Sequence, residues 1–195
     1  MRNVDAYIDD MVIKSKQIVE HLADFGEVFS VLREHRLCLN ASKCSFRVSS
    51  GYFLGYMITH RGIEVNPNQI KDINSLHLPQ NPKEVQKLTG MATALNRFIS
   101  CSVDRCRPFF QLLHKWKDFQ WTKECVLAFE DLKQYLSHPL VLSRPEKEEM
   151  LYAYLVVMNY AVSQVLVRNE NGVQRLVYRV SKSLQEVETR YLPLE

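Results

Sequence analysis

The stretch Tyr7-Ile8-Asp9-Asp10 runs directly into Met11-Val12-Ile13, so that two adjacent carboxylates stand between apolar runs. Such a pair is costly to place, because each charge needs water or a counter-ion. A divalent metal is one reason to keep the two together, since Mg²⁺ commonly uses one or two carboxylates together with substrate phosphates. Paired metals of this kind catalyse in-line phosphoryl transfer. Asp9 and Asp10 are therefore candidate metal ligands, and a solvated turn is the alternative that these residues alone leave open.

The composition of the 195-residue chain is that of an ordinary globular protein, with 46% hydrophobic and 24% charged residues. Apolar runs fall short of the roughly 20 residues that a membrane span requires. The N-terminus lacks the basic-then-apolar pattern of a secretory signal, and five cysteines without paired spacing favour free thiols. We therefore expect an intracellular protein without membrane association, and the sequence does not distinguish cytoplasm from nucleus.

Positive charge is concentrated in the middle of the chain. Residues 51–120 carry nine basic and five acidic side chains, whereas the segments on either side are nearly balanced. This segment is the candidate surface for a polyanion. Its candidate contacts to a duplex backbone are Arg97, Arg105, Arg107, Lys115 and Lys117. A solvated basic face without a partner is an equally open alternative.

The first third of the chain predicts hairpins and one helix. Alternation over residues 4–13 predicts a β-hairpin with the aspartates near its turn. Apolar residues at helical spacing predict an amphipathic helix of about five turns packed on an apolar partner; they are Ile18, Leu22, Phe25, Phe29 and Leu32. Two short strands are predicted at 46–48 and 52–58.

The remainder predicts a helical region followed by a sheet. Asn66-Pro67, Asn81-Pro82 and Thr122 are typical of helix starts. The second of these helices has a predicted buried stripe at Val85, Leu88, Ala92, Leu95 and Ile99. Residues 144–149 are charged and predict a linker. Strands are predicted at 151–157, 161–167 and 173–180, with a turn at Asn169-Glu170-Asn171-Gly172.

Several segments, taken in order, resemble one family. Tyr7-Ile8-Asp9-Asp10 resembles the aspartate-pair motif of reverse transcriptases, Leu39 to Phe46 the segment after their palm helix, and Phe53-Leu54-Gly55-Tyr56 their primer-grip hairpin. Arg97-Phe98-Ile99, Phe119-Gln120-Trp121, residues 128–133 and residues 139–142 resemble the thumb and connection of gypsy-class long-terminal-repeat retrotransposon polyproteins. Residues 177–182 and 188–191 resemble the start of their RNase H-like domain, in a form close to plant elements.

The resemblance implies an α+β fold in three parts. A palm remnant of antiparallel hairpins plus a helix occupies residues 1–58, and a thumb-like helical region occupies 59–117. Residues 118–195 hold a connection helix and a truncated RNase H-like mixed sheet. The resemblance also implies that the chain is part of a polyprotein.

The resemblance assigns roles to individual residues. In the parent enzyme Asp9 and Asp10 would bind Mg²⁺, and the primer-grip residues Phe53, Leu54, Gly55 and Tyr56 would hold the primer end of an RNA–DNA hybrid or DNA duplex. Tyr7 and Lys43 would lie near the nucleotide, although a strand residue and a surface lysine are the plainer interpretations of these two.

The resemblance also predicts that both catalytic sites of this chain are incomplete. The family's third aspartate comes from an earlier palm strand, and Asp5 shares the strand that leads into the aspartate pair and cannot replace it. We therefore expect weak Mg²⁺ binding and no polymerase activity from this chain alone.

In the RNase H-like part, Val156 stands where the family has its first aspartate, and Glu195 falls near the next acidic cluster. The rival hypotheses are a non-catalytic nucleic-acid-binding module retained from the thumb, and a piece of an intact polyprotein in a truncated gene model. A zinc site at Cys101, Cys106, His114 and Cys125 is not favoured, because the spacing fits no closed structural site.

Overall fold

The structure is a computed structural model that describes residues 3–15, 17–114, 119–138, 141–185 and 187–190. The chain divides into two compact units, Met1–His60 and Arg61–Glu195. Each unit has its own helices and strands. None of the helices in the described ranges is long and apolar enough to cross a membrane.

The first unit consists of two hairpins and one helix. Strands β1 (Val4–Tyr7) and β2 (Asp10–Ile13) pair antiparallel, as predicted, and helix α1 (His21–Glu34) follows. After a short 3₁₀ turn (Ala41–Lys43), β3 (Gly51–Phe53) and β4 (Tyr56–Thr59) form the second antiparallel hairpin. The single strand predicted at 52–58 is therefore wrong, because the positive φ angles of Leu54 and Gly55 turn the chain in its middle.

Helix α1 differs from its prediction at its start and in its burial. It begins at His21, and the predicted stripe residues Ile18 and Leu22 are 91% and 82% exposed. Phe25 packs on Phe29 and Phe46, with ring centroids 5.7 and 5.8 Å apart. The N-terminal part of the stripe is therefore open to solvent, whereas Phe25, Phe29 and Leu32 are half-buried.

The predicted strand at 46–48 is wrong, because the backbone there cannot extend. Arg47 has a φ of 51°, in the left-handed region, which interrupts a run of extended residues.

The second unit begins with a short strand and four helices. Strand β5 (Gly62–Glu64) is followed by α2 (Pro67–Ser75), α3 (Pro82–Ala94), α4 (Ser102–His114) and α5 (Lys123–Leu136). The predicted starts are confirmed: the side chains of Asn66, Asn81 and Thr122 accept hydrogen bonds from the first-turn N–H groups of α2, α3 and α5.

The core of the second unit lies between these helices. The predicted burial of this stripe is confirmed, since Val85, Leu88, Ala92, Leu95 and Ile99 are all at most 2% exposed, but α3 ends at Ala94, so Leu95 and Ile99 follow the helix. Buried side chains of the neighbouring helices, among them Phe109, Phe129 and Leu132, also belong to this core. Each Å² of apolar surface removed from water stabilises a fold by about 25 cal/mol. This interior is therefore the main source of stability of the second unit.

The chain then forms the last strands. Strand β6 (Val141–Leu142) pairs antiparallel with β5, and Gly62 makes this approach possible because a Cβ there would lie 2.0 Å from the Leu142 carbonyl oxygen. Strands β7 (Leu151–Val157), β8 (Ala161–Glu170) and β9 (Val173–Ser183) form an antiparallel meander. The mixture of helices and antiparallel sheet confirms the predicted α+β class.

The predicted linker at 144–149 is held against the meander. Arg168 on β8 donates from Nε to Glu149 (2.9 Å), from Nη2 to Glu146 (3.0 Å) and from Nη1 to the Arg144 carbonyl oxygen (3.0 Å). One guanidinium therefore fixes both ends of this charged segment.

Candidate active site

The aspartate pair lies at the tip of the first hairpin. Tyr7 pairs with Asp10, so Ile8 and Asp9 are the two residues of the turn. Ile8 has a φ of 51° and is 86% exposed. A β-branched residue rarely adopts this left-handed conformation, and such strain concentrates at functional sites. The turn therefore presents Asp9 and Asp10 to solvent on a strained backbone.

The second hairpin meets the first at Asp10. Leu54 and Gly55 connect β3 to β4, with φ values of 53° and 81°. Two successive positive φ values are typical of a type I′ turn, whose twist matches that of the flanking strands. The backbone N–H of Leu54 donates to Oδ2 of Asp10 at 3.0 Å. This bond joins two predicted site segments that are 44 residues apart in sequence.

Asp24 on α1 anchors the first hairpin at its open end. Its Oδ1 accepts from Nδ2 of Asn3 at 2.6 Å, and its carboxylate also accepts from the hydroxyl of Ser15. The same hydroxyl contacts Nδ1 of His21 at 2.8 Å. Asn3 and Ser15 flank β1 and β2, so Asp24 is a positioning residue that ties both strands to the helix.

Asp5, the other carboxylate of the hairpin, is committed to a different contact. It pairs with the ammonium group of Lys14, and both side chains are more than half exposed. Asp5 sits opposite Val12 in the register, whereas Asp10 sits beside the turn. Asp5 and Asp10 therefore lie at different positions along the hairpin.

The aspartate turn fits a divalent cation in part. Asp9 and Asp10 supply carboxylate oxygens, the hard donors that Mg²⁺ prefers. One oxygen of Asp10 is already used by the Leu54 amide. Within the described ranges, no group of three or more His, Cys, Asp or Glu side chains is arranged to hold a metal ion. The turn therefore provides part of a ligand set.

The other residues predicted near the nucleotide are both exposed. Tyr7 ends β1 at the turn and is 58% exposed. Lys43 ends the exposed 3₁₀ turn, which Asn40 caps by accepting from the Ser42 amide at 3.1 Å. Both remain candidates by resemblance.

Of the predicted primer-grip residues, Leu54 is the one whose amide contacts the aspartate pair. Phe53 and Tyr56 are the paired residues that flank the turn, and Gly55 supplies its second positive φ. This hairpin therefore contacts the aspartate pair through a backbone amide, that of Leu54.

The three candidate nucleic-acid arginines lie in the second unit, and each contacts an aromatic ring. The guanidinium carbon lies 3.4 Å from the Tyr160 ring centroid for Arg107, 4.5 Å from that of Tyr135 for Arg105, and 5.8 Å from that of Tyr178 for Arg97. Arg105 also pairs with Asp131 and donates from Nε to the Ser100 carbonyl at 3.0 Å. Arg105 and Arg107 are half-buried, and Arg97 is exposed. Lys115 and Lys117 lie outside the described residues.

Tyr135 connects these arginines to the sheet. Its hydroxyl accepts from Nη1 of Arg179 (2.8 Å) and from the Ser100 N–H (3.1 Å), and it donates to the Phe98 carbonyl oxygen (3.1 Å). Burial raises the pKa of Tyr135, but the hydrogen bonds from Ser100 and the charge of Arg179 outweigh it and leave this pKa below its usual value. This network gives the region around Arg105 a structural role that the sequence did not reveal.

The first strand of the predicted RNase H-like part presents no carboxylate at the expected position. Val156 lies on β7 opposite Ser163 and is 46% exposed. The position is therefore accessible, but valine offers no metal ligand. Glu195 lies outside the described residues.

Comparison with known proteins agrees with both parts of this description. Residues 2–58 match the family model described as reverse transcriptase (RNA-dependent DNA polymerase), and residues 121–195 match that of the RNase H-like domain found in reverse transcriptase. The chain therefore carries reverse transcriptase and RNase H-like sequence.

The relatives are polyproteins of mobile elements. The chain is 30% identical over 97% of its length to the retrovirus-related Pol polyprotein from transposon 297, and 29% identical over 94% to that from transposon 412, both of Drosophila melanogaster. It is 30% identical over 84% of its length to the transposon Tf2-3 polyprotein of Schizosaccharomyces pombe. It spans 18%, 15% and 12% of these relatives. The chain thus corresponds to the reverse transcriptase and RNase H-like part of a retroelement Pol polyprotein.

Solved structures share the fold. The foamy viral protease-reverse transcriptase in complex with dsDNA superposes with a TM-score of 0.81 over 97% of this chain and 40% of its own, at 21% identity. The same enzyme in complex with an RNA/DNA hybrid gives 0.81 over 97% of this chain and 26% of its own. Members of this enzyme family generally use a divalent metal.

Proposed function

We propose that this chain supplies the aspartate turn and primer-holding hairpin of a retrotransposon RNA-directed DNA polymerase, and that the 195-residue polypeptide alone does not extend primers. The observation that carries the proposal is the Leu54 N–H donating to Asp10, which connects the two segments. In the complete enzyme, this amide would hold the Asp10 carboxylate in one orientation and place the hairpin beside it, so the pair of hairpins is a positioning device.

Mg²⁺ is the proposed cofactor, with weak affinity in this chain. Asp9 and Asp10 would hold it, and the Asp10 oxygen that does not accept from the Leu54 amide would be one donor. When bound, such an ion stabilises negative charge that develops on phosphate oxygens. The chain's own contribution is to present these oxygens on a turn fixed by the Leu54 amide and, through Asn3 and Ser15, by Asp24.

Primer extension tests the proposal. Purified chain is incubated with primer–template, Mg²⁺ and nucleotides, next to the Asp9→Asn/Asp10→Asn double variant. We expect no extension above that of the variant. Extension that depends on Asp9 and Asp10 would overturn the proposed inactivity. The amide signal of Leu54 in an NMR spectrum tests the positioning separately: it should shift in Asp10→Ala and remain unchanged in Asp5→Ala, which alters the other carboxylate of the same hairpin.

A nucleic-acid-binding module without chemistry is the second candidate function. The excess of basic residues in 51–120 favours it. The fold similarity to structures described as complexes with dsDNA and with an RNA/DNA hybrid also supports it. The proposed partner is an RNA–DNA hybrid or a DNA duplex. Arg97 is the best probe, because it is exposed, whereas Arg105 and Arg107 are half-buried.

Salt-dependent binding to an RNA–DNA hybrid tests this candidate. If Arg97 contacts a phosphate, Arg97→Glu should reduce the slope of log affinity against log salt by about 0.7–0.9. The control is Lys147→Glu, which removes a linker charge that is 92% exposed. Equal slopes for both variants, or no measurable binding by the unmodified chain, would contradict the binding module.

The finer assignments are also proposals. We propose the division into 1–58, 59–117 and 118–195, supported by the family matches at 2–58 and 121–195. Membership of the gypsy class, in a form close to plant elements, is supported by the motifs between Arg97 and Tyr191.

RNase H activity is not expected from this chain, because Val156 replaces a metal-binding carboxylate. An intracellular location is supported by five cysteines that are all free.

A further inference from the structure

A cavity of about 300 Å³ lies between the end of α3, the start of α4 and the end of β9. We propose that this cavity binds a small phosphate monoester, whose phosphate group lies at the N-terminus of α4 against Ser102 and Lys182. Its organic group would contact Val103 and Phe110, which also line the cavity. All of these residues belong to the second unit, so the proposal does not depend on the function proposed for the aspartate turn.

The buried hydroxyl of Ser102 is the observation that points to a ligand. Ser102 is 6% exposed, and the other buried polar residues of the described ranges are Thr89 and Ser163. Both of these have partners: the Thr89 hydroxyl donates to the Val85 carbonyl oxygen at 2.9 Å, and Ser163 Oγ lies 2.9 Å from Ser181 Oγ. The Ser102 hydroxyl lines the cavity and has no hydrogen-bond partner among the described residues. Because buried polar groups are normally hydrogen-bonded, a ligand oxygen in the cavity would satisfy it.

The N-terminus of α4 supplies further donors at the same place. The first hydrogen bond of this 13-residue helix runs from the Arg105 N–H to the Cys101 carbonyl oxygen at 3.0 Å. The N–H groups of Ser102, Val103 and Asp104 precede this bond, and within the described ranges they have no acceptor. Amides of this kind, together with the partial positive charge of a helix N-terminus, favour an oxyanion such as phosphate.

The charge of the cavity lining also favours an anion. Lys182 is the one charged residue among the described residues that line it. Its ammonium group donates to Glu188 at 3.1 Å in an exposed pair, and such surface pairs are weak enough for a ligand oxygen to compete. Burial raises the pKa of the Cys106 thiol to about 11, so this lining residue is uncharged at neutral pH. Asp104 is the opposing charge, but it is exposed and lies outside the lining.

The size of the cavity favours a phosphate ester over inorganic phosphate. A water molecule takes about 30 Å³ of liquid, so the five heavy atoms of a phosphate group would fill about half of the cavity. Val103 and Phe110 offer apolar contact to a substituent in the remaining space. A duplex backbone is a poorer occupant, because the Ser102 hydroxyl lies below the protein surface, whereas phosphate contacts of duplexes come from exposed basic side chains.

Titration with phenyl phosphate, followed by NMR, tests the site. The amide signals of Ser102 and Val103 should shift and saturate, and inorganic phosphate should do the same at higher concentration. Phenol, which lacks the phosphate group, should not shift them. Ser102→Ala should weaken phenyl phosphate binding about tenfold, as expected for a lost hydrogen bond to a charged group. Ser102→Thr keeps the hydroxyl and should retain binding.

Urea unfolding of the same variant separates a binding role from a structural one. Because the Ser102 hydroxyl has no partner within the described ranges, Ser102→Ala should leave the stability of the ligand-free chain unchanged. A substantial loss of stability would give this hydroxyl a structural role and would overturn its assignment to a ligand.

Charge variants test the anion independently of Ser102. Lys182→Gln should weaken phenyl phosphate binding, and Asp104→Asn should strengthen it, each by about two- to fivefold. Lys147→Gln is the matched control, because it removes a lysine charge that is 92% exposed on the linker, and it should leave the affinity unchanged.

Three further results would overturn the proposal: phenyl phosphate that binds Ser102→Ala as tightly as the unmodified chain, signal shifts that leave Ser102 and Val103 unaffected, or displacement of phenyl phosphate by an RNA–DNA hybrid. The last result would assign the cavity to a nucleic-acid backbone.

Discussion

The two units of this chain differ in what they contribute: the first carries the candidate aspartate site, and the second contains most of the buried apolar interior. The unit Met1–His60 carries the aspartate turn and the hairpin, but among its described residues Val28 is the one apolar side chain that is buried. The unit Arg61–Glu195 contains the other buried apolar residues, most of them on α3, α4 and α5. Polar contacts and turns therefore hold the aspartate turn and the hairpin, whereas the apolar interior that resists unfolding belongs to the second unit.

A pair of matched leucine substitutions provides the largest expected contrast. Leu88 on α3 is 0% exposed and Leu22 on α1 is 82% exposed. Leu88→Ala should lower the free energy of unfolding by about 2–5 kcal/mol, because it removes buried methyl groups and leaves a cavity. Leu22→Ala should change it by less than about 0.5 kcal/mol. Urea unfolding followed by circular dichroism measures both, and similar losses for the two variants would contradict the contrast.

Two glycine substitutions sharpen the comparison within the second unit. Gly62 has a φ of 133°, and an added Cβ would meet the Leu142 backbone, whereas Gly90 on α3 has open space around it. Gly62→Ala should destabilise by about 1–3 kcal/mol by pushing β6 away from β5. Gly90→Ala should stabilise by about 0.5–1 kcal/mol, because alanine suits a helix interior better. Thermal unfolding compares the two, and a shift of the same sign would count against this geometry.

The smallest expected effect is the response of the charged linker to pH. The Glu146 N–H bonded to the Glu149 carboxylate, together with Arg168, lowers the pKa of Glu149 below its usual 4.5 against the opposing effect of desolvation. Its contribution is therefore complete above pH 4.5 and is lost as pH falls through the lower folded value. Hydrogen exchange of residues 144–149 should increase in acid. Glu149→Gln should exchange fast at both pH values, and an acid response retained in that variant would implicate another group.

The sequence predicted the elements whose signals are local. Asn81-Pro82 predicted the start of α3, and in the structure the Glu84 N–H donates to the Asn81 side chain while the Gln80 N–H donates to the Glu84 carboxylate. The first hairpin and the three late strands were likewise found from alternation and turn residues.

The features that escaped prediction depend on tertiary contacts or on single dihedral angles. The left-handed Arg47 prevents a strand at 46–48, and no local pattern indicates it. The aspartate pair and the primer-grip hairpin were each assigned by resemblance, but the bond from the Leu54 amide to Asp10 joins positions that no sequence periodicity connects. The sequence could not show that Arg105 and Arg107 contact aromatic rings, because their partners, Tyr135 and Tyr160, follow much later in the chain.

Native-state hydrogen exchange measured by mass spectrometry tests the division between the two units most directly. We expect slow exchange in α3 and α5, with protection about 10³-fold or more above that of β1 and β2. Exchange in β1 and β2 should be fast, because neither strand contains a buried residue. Equal protection of the first hairpin and of α3 would contradict this division of stability, since the unit that carries the aspartate turn would then be as stable as the helical core.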